Sequence, residues 1–539
     1  MAKKKTNYQH PDDPLKFEDH GRPVTRREFI RQGFMTGSAT ILTGGMFNLF
    51  ANPNVARAAI APDLQALAAS MPNCSPGGIP NTMIPFICFD LAGGANLAGS
   101  NVLVGQGGGQ LDFLSTAGYS KLGIPGDMVP GLDDSSFTDL NNSSNGDFTN
   151  TELNLAFHAD SPILRGIRER APTITSANID GCVIPARSDN DTGNNPHNPL
   201  YGIAMAGGTG TVVDLIGSRS SESGGNSMAP AALINPEVRP TKVDRPSDVT
   251  GMVDVGDLTA ILSDPADVTA VMESIARLSH RKMQVGDIQT KLTNDAIIKD
   301  LVRCGYLKAA DIADRFAGIP VDPLEDIEIN QIFTANELTS NEFRKTASVM
   351  KMVIEGYAAG GCITMGGYDY HTGDRITGEN RDLRAGRCIG ACLDYARRKA
   401  QPLMIYVYSD GSVASNGMPD DSLTIDNNDP ETLILGGQGK GQWTGDNSST
   451  ACSFFLVYNP FGSPGLIGNR QIGRMDAGGS VVTSATPAAN NVNILVNMLL
   501  LNYMSVSGPA PFNLSDYTDI FPNHGLGTNL SNYIAFDSF

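Results

Sequence analysis

No Cys-x-x-Cys pair occurs in this 539-residue chain, so the usual spacing of a structural zinc site is missing. Positive charge is in short supply: 39 Lys and Arg stand against 57 Asp and Glu, for a net charge of -18. A surface of that sign repels phosphate backbones and argues against nucleic acid as a partner. No stretch reaches the roughly 20 uninterrupted apolar residues of a membrane span. Val492–Met504 is apolar but short, and Asn493, Asn497 and Asn502 interrupt it, so it reads as a buried helix. Histidine is sparse, seven in all, with His10 and His20 close to the N-terminus. No internal repeat is visible. With 41% hydrophobic and only 18% charged residues, the chain is globular rather than disordered. On a prior of ~150 residues per domain, its length fits roughly two to four domains, or one large α/β domain with insertions. The 59 glycines point to long, turn-rich loops.

What is present begins with Thr25-Arg26-Arg27-Glu28-Phe29-Ile30-Arg31, which resembles a twin-arginine (Tat) export motif. A weakly apolar, Gly/Thr-rich segment follows from Gly33 to Phe50, and Ala56-Arg57-Ala58 fits a small-x-small cleavage pattern. This leader carries a net charge of +4, which leaves -22 for the rest of the chain. The expectation is a signal peptide over 1–58 that engages the Tat export machinery. The processed protein would then have no stable membrane span and would sit in the periplasm or at the cell surface. In an oxidising compartment the eight cysteines could pair. Cys74 lies in a loop and is a candidate. Cys88, Cys362 and Cys452 lie inside apolar runs and read as buried thiols, and Cys388 and Cys392 share a helix at i, i+4.

Periodicity predicts strands at Met83–Phe89, within Thr173–Val183, at Cys362–Met365, Leu403–Tyr408 and Ala451–Tyr458. Helices are expected at Asp63–Ser70, Phe157–Ala171, Leu258–Leu278, Asn294–Phe316, Glu342–Ala359 and Asp382–Ala400. The unit Cys362–Met365, Asp382–Ala400, Leu403–Tyr408 reads as a strand–helix–strand crossover of a parallel sheet. The fold class is therefore α/β, a mostly parallel sheet covered by helices within 59–539. A polar insertion falls near 105–155 and a helical insertion near 255–345; Gly217–Arg245 and the tail from Ser507 look like loops.

Three apolar runs end in polar, chemistry-bearing loops: Asp90-Leu-Ala-Gly-Gly-Ala-Asn96, Gly366-Gly367-Tyr368-Asp369-Tyr370-His371, and Ser409-Asp410-Gly411. Ligands of open α/β sheets bind beyond the carboxyl ends of the strands, so these loops point to one site. Asp369 and His371 are i, i+2, which on an extended strand end puts both on one side, within reach of one ion. A histidine satisfied by local hydrogen bonds beside a loop Asp fits the same pattern.

The order of these motifs resembles the Tat-exported family of unassigned activity known as DUF1501, a divergent relative of the alkaline phosphatase/sulfatase superfamily. Gly366-Gly367-Tyr368-Asp369-Tyr370-His371 carries the resemblance most specifically, matching Gly-Gly-Trp-Asp-Thr-His. The resemblance implies an alkaline-phosphatase-like sheet and a divalent metal (Zn, Mn, Fe or Ca) held by Asp369, His371 and Asp410. Asn96 stands where the family has Asp, and His197 in the 186–199 loop could join the ligand set. Ser100, the nearest hydroxyl after the Gly-Gly turn, would be the nucleophile. The family's middle Arg-Ser-His is Arg187-Ser188-Asp189 here, and its late Asp-His-Gly is Asp446-Asn447-Ser448. A two-metal phosphatase site needs several hard or imidazole ligands that hold two cations ~4 Å apart. Two functions are therefore expected. One is an exported, metal-dependent hydrolase of phosphate or sulfate esters with a divergent or degenerate site. The other is a non-catalytic cell-envelope or surface protein acting in binding, assembly or secretion.

Two further patterns stand apart. Asn141 to Glu152 follows calcium-loop spacing, with Gly146 at position 6 and Glu152 at position 12, although a plain polar loop fits it better. Gly436 to Gly441 resembles a phosphate-binding glycine loop but lacks the Ser/Thr after its lysine.

Overall fold

A computed structural model describes residues 60–71, 74, 83–131, 148–188, 195–253, 262, 264–284, 295–316, 321–370, 375–420, 440–508 and 512–539. The expected leader and His371 lie outside them. In chain order the elements begin with α1 (Pro62–Ala69), β1 (Phe86–Ala92), α2 (Leu97–Ser100) and α3 (Thr116–Lys121). A small hairpin of β2 (Thr149–Leu153) and β3 (Leu155–His158) follows, then α4 (Pro162–Arg170), β4 (Ile179–Pro185) and α5 (Leu200–Met205). Next come β5 (Leu215–Gly217), β6 (Thr241–Lys242) and α6 (Pro246–Val253). Four helices, α7 (Pro265–Gln284), α8 (Asp295–Phe316), α9 (Ile327–Ile332) and α10 (Asn341–Ile354), lead into β7 (Gly360–Gly366). Then α11 (Arg375–Arg398), β8 (Leu403–Tyr408), the hairpin β9 (Val413–Pro419) with β10 (Gly441–Asp446), and β11 (Cys452–Tyr458) complete the sheet region. The chain closes with α12 (Val492–Ser507) and α13 (Leu514–Ile520).

Seven strands form one sheet in the order β4-β11-β8-β1-β7-β5-β6. The fold is α/β with a mostly parallel sheet, as periodicity leads one to expect. β1 pairs in parallel with β7 and β8, and β7 with β5, while β11 runs antiparallel between β8 and β4. The crossover β7–α11–β8 spans β1, which lies between the two strands. Central position explains the β1 sequence: Ile87, Phe89 and Leu91 enter one core, Phe86 and Cys88 the other. The first core packs under α4, α10 and α11, and the second under α5 and α12.

Several boundaries differ from the sequence reading. The first strand runs to Ala92 rather than Phe89, because Asp90, Leu91 and Ala92 pair with Thr364, Met365 and Gly366. The expected helix 157–171 is a strand ending at His158 and then a helix whose N-cap is Ser161, with Pro162 at its first position. Short strands β5 and β6 lie at the ends of the 217–245 stretch read as loop, and the tail contains α13.

A smaller cluster joins α1, α7 and α8 through Leu64, Val268, Met272, Leu307 and Ala310. The disulfide Cys74–Cys304, across a sequence separation of 230, ties the N-terminal segment to α8. The other six cysteines are buried thiols. Reduction, or the pair Cys74→Ala/Cys304→Ala, is expected to cost this cluster about 2–5 kcal/mol. Hydrogen exchange should then quicken in α7 and α8 while the seven-stranded sheet stays protected; unchanged exchange in both helices would show the bridge to be dispensable.

Candidate functional site

The carboxyl ends of β8, β1 and β7 lie side by side, and the turn after β1 stitches them together. Gly93 has φ +134, and a Cβ there would stand 2.4 Å from the Asp369 amide nitrogen, so only glycine lets the two strand-end loops meet. The Gly93 N–H donates to Asp410 Oδ1 at 2.7 Å, and the Ala95 N–H donates to Ser409 Oγ at 2.9 Å. Ser409 Oγ in turn donates to the Leu91 carbonyl. The loop after β8 is thereby locked onto the loop after β1.

Asp90 is the acid the sequence reading left out of the site. It is fully buried in the middle of the sheet, beside Cys88, Cys362 and Tyr408. The segment after β5 folds over it: the N–H groups of Asn226 and Ser227 donate to Asp90 Oδ2 at 2.6 and 2.9 Å, and Ser227 Oγ donates to Oδ1 at 3.2 Å. Thr364 Oγ1 adds a longer contact of 3.4 Å. Burial raises the carboxyl's pKa, and these donors hold it back. Asn226 also reaches Asp410, with Nδ2 donating to Oδ2 at 3.1 Å. One asparagine thus bridges the two acids. The fit depends on Gly225, where a Cβ would lie 2.9 Å from both Asp90 Oδ2 and Cys362 Sγ.

His197 supports this arrangement from beneath. Its ring stacks on Tyr408 at 5.6 Å, and its Nε2 meets Ser188 Oγ at 3.0 Å. Ser188 Oγ donates to the Asp410 carbonyl, so the imidazole carries its proton on Nε2 and donates to Ser188. Burial depresses its pKa to about 3, which keeps it neutral. The Asn195 amide donates to the same Asp410 carbonyl at 2.8 Å.

Asn96 sits elsewhere in the same loop. Its Oδ1 caps α2 by accepting from the N–H groups of Gly99 and Ser100, and its Nδ2 donates to the Leu122 carbonyl. Ser100 is buried at the end of that helix, and its hydroxyl accepts from Arg375 Nη2 at 2.5 Å. Arg375 belongs to a sealed charge cluster that periodicity could not reveal. Its Nε donates to Glu379 at 2.9 Å, and Lys440 pairs with both Glu379 and Asp160. Asp382 accepts from Asn101 in the same region. Lys440 is therefore a core cation rather than the lysine of a phosphate loop. Glu152, the last position of the calcium-like spacing, pairs with Arg168.

The donor set decides whether the described residues suit a two-metal centre. The Asp90 and Asp410 oxygens face N–H and O–H groups, and so does the Asn96 amide oxygen; each lone pair turned toward a donor is unavailable to a cation. The His197 nitrogen that meets Ser188 is a donor. Asp369 is exposed at the lip of β7. Among the described residues no three His, Cys, Asp or Glu side chains converge as a metal-binding group. Asp90, Asp410 and Asn96, so engaged, do not fit the two-metal site that the family resemblance implies; among the described residues His197 Nδ1 is buried without a hydrogen-bond partner, and His371 lies outside them. Comparison with family models, curated proteins and solved structures finds no match to the chain.

Proposed function

We propose that this chain is an exported cell-envelope or surface protein whose alkaline-phosphatase-like sheet serves binding or assembly rather than ester hydrolysis. One observation carries the reading: the segment Gly225–Ser227 lies across the strand ends and takes up Asp90 and Asp410 with its own N–H and amide groups. A hydrolytic centre needs such carboxylates turned toward a cation or a substrate. Export is supported by the twin-arginine pattern and by the Cys74–Cys304 bridge, which suits an oxidising compartment. No helix among the described residues is long and apolar enough to cross a membrane. A second reading, a hydrolase with a single metal, rests on the exposure of Asp369, one half of the Asp-x-His pair.

Elemental analysis of protein exported through its own leader separates the two. The expected result is no stoichiometric Zn, Mn, Fe or Ca and no turnover of p-nitrophenyl phosphate or sulfate. Stoichiometric metal that disappears in Asp90→Asn/Asp410→Asn, accompanied by turnover in the wild type, would overturn the non-catalytic reading. Metal lost only in Asp369→Ala/His371→Ala would establish the single-metal alternative.

A further inference from the structure

A cleft of about 560 Å³ opens beyond the carboxyl ends of β5, β6 and β7, between them and the first turn of α10. Its chemistry runs against that of the chain. In a protein with 39 basic and 57 acidic residues, five cations converge here: Arg219 after β5, Lys242 and Arg245 at and after β6, and Arg344 and Lys345 on α10. Only two acids, Asp244 and Glu342, share the lining, so the cleft carries a net charge of +3.

The cations are not equivalent. Lys242 pairs with Asp244, Arg245 with Asp248 and more distantly with Asp244, and Lys345 with Glu342. Among the described residues, Arg219 and Arg344 meet no carboxylate. Arg219 Nη1 donates to Asn226 Oδ1 at 2.9 Å, Arg344 Nη2 donates to Asn341 Oδ1, and Arg344 Nε is buried with no hydrogen-bond partner. Two guanidinium groups with spare donors, flanked by lysines and by Ser218, supply the chemistry that recognises a tetrahedral oxyanion. The N-terminal turn of α10, a 14-residue helix, adds a favourable dipole. The cavity is larger than one such ion needs, which leaves room for the organic part of an ester.

We propose that this cleft binds a small molecule bearing phosphate or sulfate groups, held chiefly by Arg219 and Arg344. Because Arg219 also holds Asn226, the residue that bridges Asp90 and Asp410, ligand binding would act on the polar cover over the sheet. The proposal does not depend on whether the chain hydrolyses esters.

Isothermal titration of the full processed chain in low-salt buffer tests it, with inorganic pyrophosphate as the phosphate probe and a sulfated heparin disaccharide as the sulfate probe. The expected result is saturable binding of at least one probe that weakens as salt is added. Arg219→Ala/Arg344→Ala should weaken it by about tenfold or more, the loss expected when charge-assisted hydrogen bonds are removed. The exposed Arg219→Ala alone should weaken it less while leaving the thermal midpoint unchanged. Lys282→Ala, on the far end of α7, should leave the affinity intact. Binding of neither probe, or equal affinity in wild type and double variant, would overturn the proposal. Assaying probe consumption in the same samples separates binding from turnover, so failure here is distinguishable from failure of the non-catalytic reading.

Discussion

Replacing Arg375 with methionine is expected to cost about 3–5 kcal/mol of stability, the range for removing one partner of a buried charge group. The side chain is fully buried at the start of α11 and holds four partners at once. Nε donates to Glu379, Nη1 to the carbonyls of Gly123 and Gly441 at 2.7 Å each, and Nη2 to Ser100. Methionine approximates the volume but leaves the Gly441 carbonyl and the Ser100 hydroxyl without a donor, leaves the Gly123 carbonyl to the Gly441 N–H, and leaves Glu379 to Lys440 alone. The guanidinium also lies 4.9 Å over the ring of Trp443, the chain's single tryptophan. Trp443 fluorescence during guanidinium chloride unfolding therefore reports the change directly. A loss under about 1 kcal/mol would mean that the cluster relaxes around the gap and that Arg375 is not its keystone.

The second large effect is a fall in stability as pH rises from 6.5 to 8. Burial, reinforced by the Glu379 charge, pushes the Asp382 carboxyl up to about 8, although the Asn101 amide donates to it. A carboxyl that keeps its proton in the folded protein, and loses it near pH 4 when unfolded, stabilises the fold at low pH. That contribution disappears as pH climbs to the folded value. The slope is about 1.4 kcal/mol per pH unit for one proton, so the window from 6.5 to 8 spans roughly 2 kcal/mol. Below pH 6.5 the buried imidazoles of His158 and His197, depressed to about 4 and about 3, act in the opposite direction. Their unfolded value near 6.5, and the Lys308 ammonium that burial lowers to about 8, still act within the upper window, so the comparison with Asp382→Asn, which shares these groups, is what isolates the carboxyl. Between pH 6.5 and 8.0 the denaturant midpoint should shift downward in the wild type relative to its shift in Asp382→Asn, whose amide resembles the neutral acid. An unchanged difference in the variant would assign the slope to another group.

Much of the sheet was legible because parallel strands buried on both faces write themselves as short apolar runs. Leu403–Tyr408 was placed to the residue, and Ala451–Tyr458 to within one. The crossover helix was legible only from Asp382 onward. Its first seven residues, Arg375 to Arg381, hold one apolar side chain, Ile376, among polar residues and a glycine, and read as loop until burial and ion pairing are known. The three strand-end loops do meet around Gly93, as strand direction suggested. Their side-chain roles could not be read from sequence, because the decisive partners, Asn226 and Ser227, come from a segment with no periodicity. Asp90 carried a signal that went unused: an acid inside an otherwise apolar central strand is rare unless paired. Asn96 and Ser100 show the converse. Asx and hydroxyl side chains after a Gly-Gly turn cap helices as readily as they do chemistry, and here Asn96 caps α2.

The six thiols sealed in the core bear on the chain's history as well as its stability. Cys88 and Cys362 face each other in register on neighbouring strands, and burial raises the pKa of Cys88, Cys182, Cys392 and Cys452, leaving them protonated and inert. Once packed, they are beyond the reach of an oxidant. While the chain is open, all eight cysteines are available, and on the order of a hundred complete pairings compete with the single native bridge. The native pattern therefore favours a sequence of events, closure of the sheet in reducing surroundings and oxidation of Cys74 with Cys304 afterwards. The placement of its sulfur thus makes oxidation of the folded chain less error-prone than oxidation of the open one.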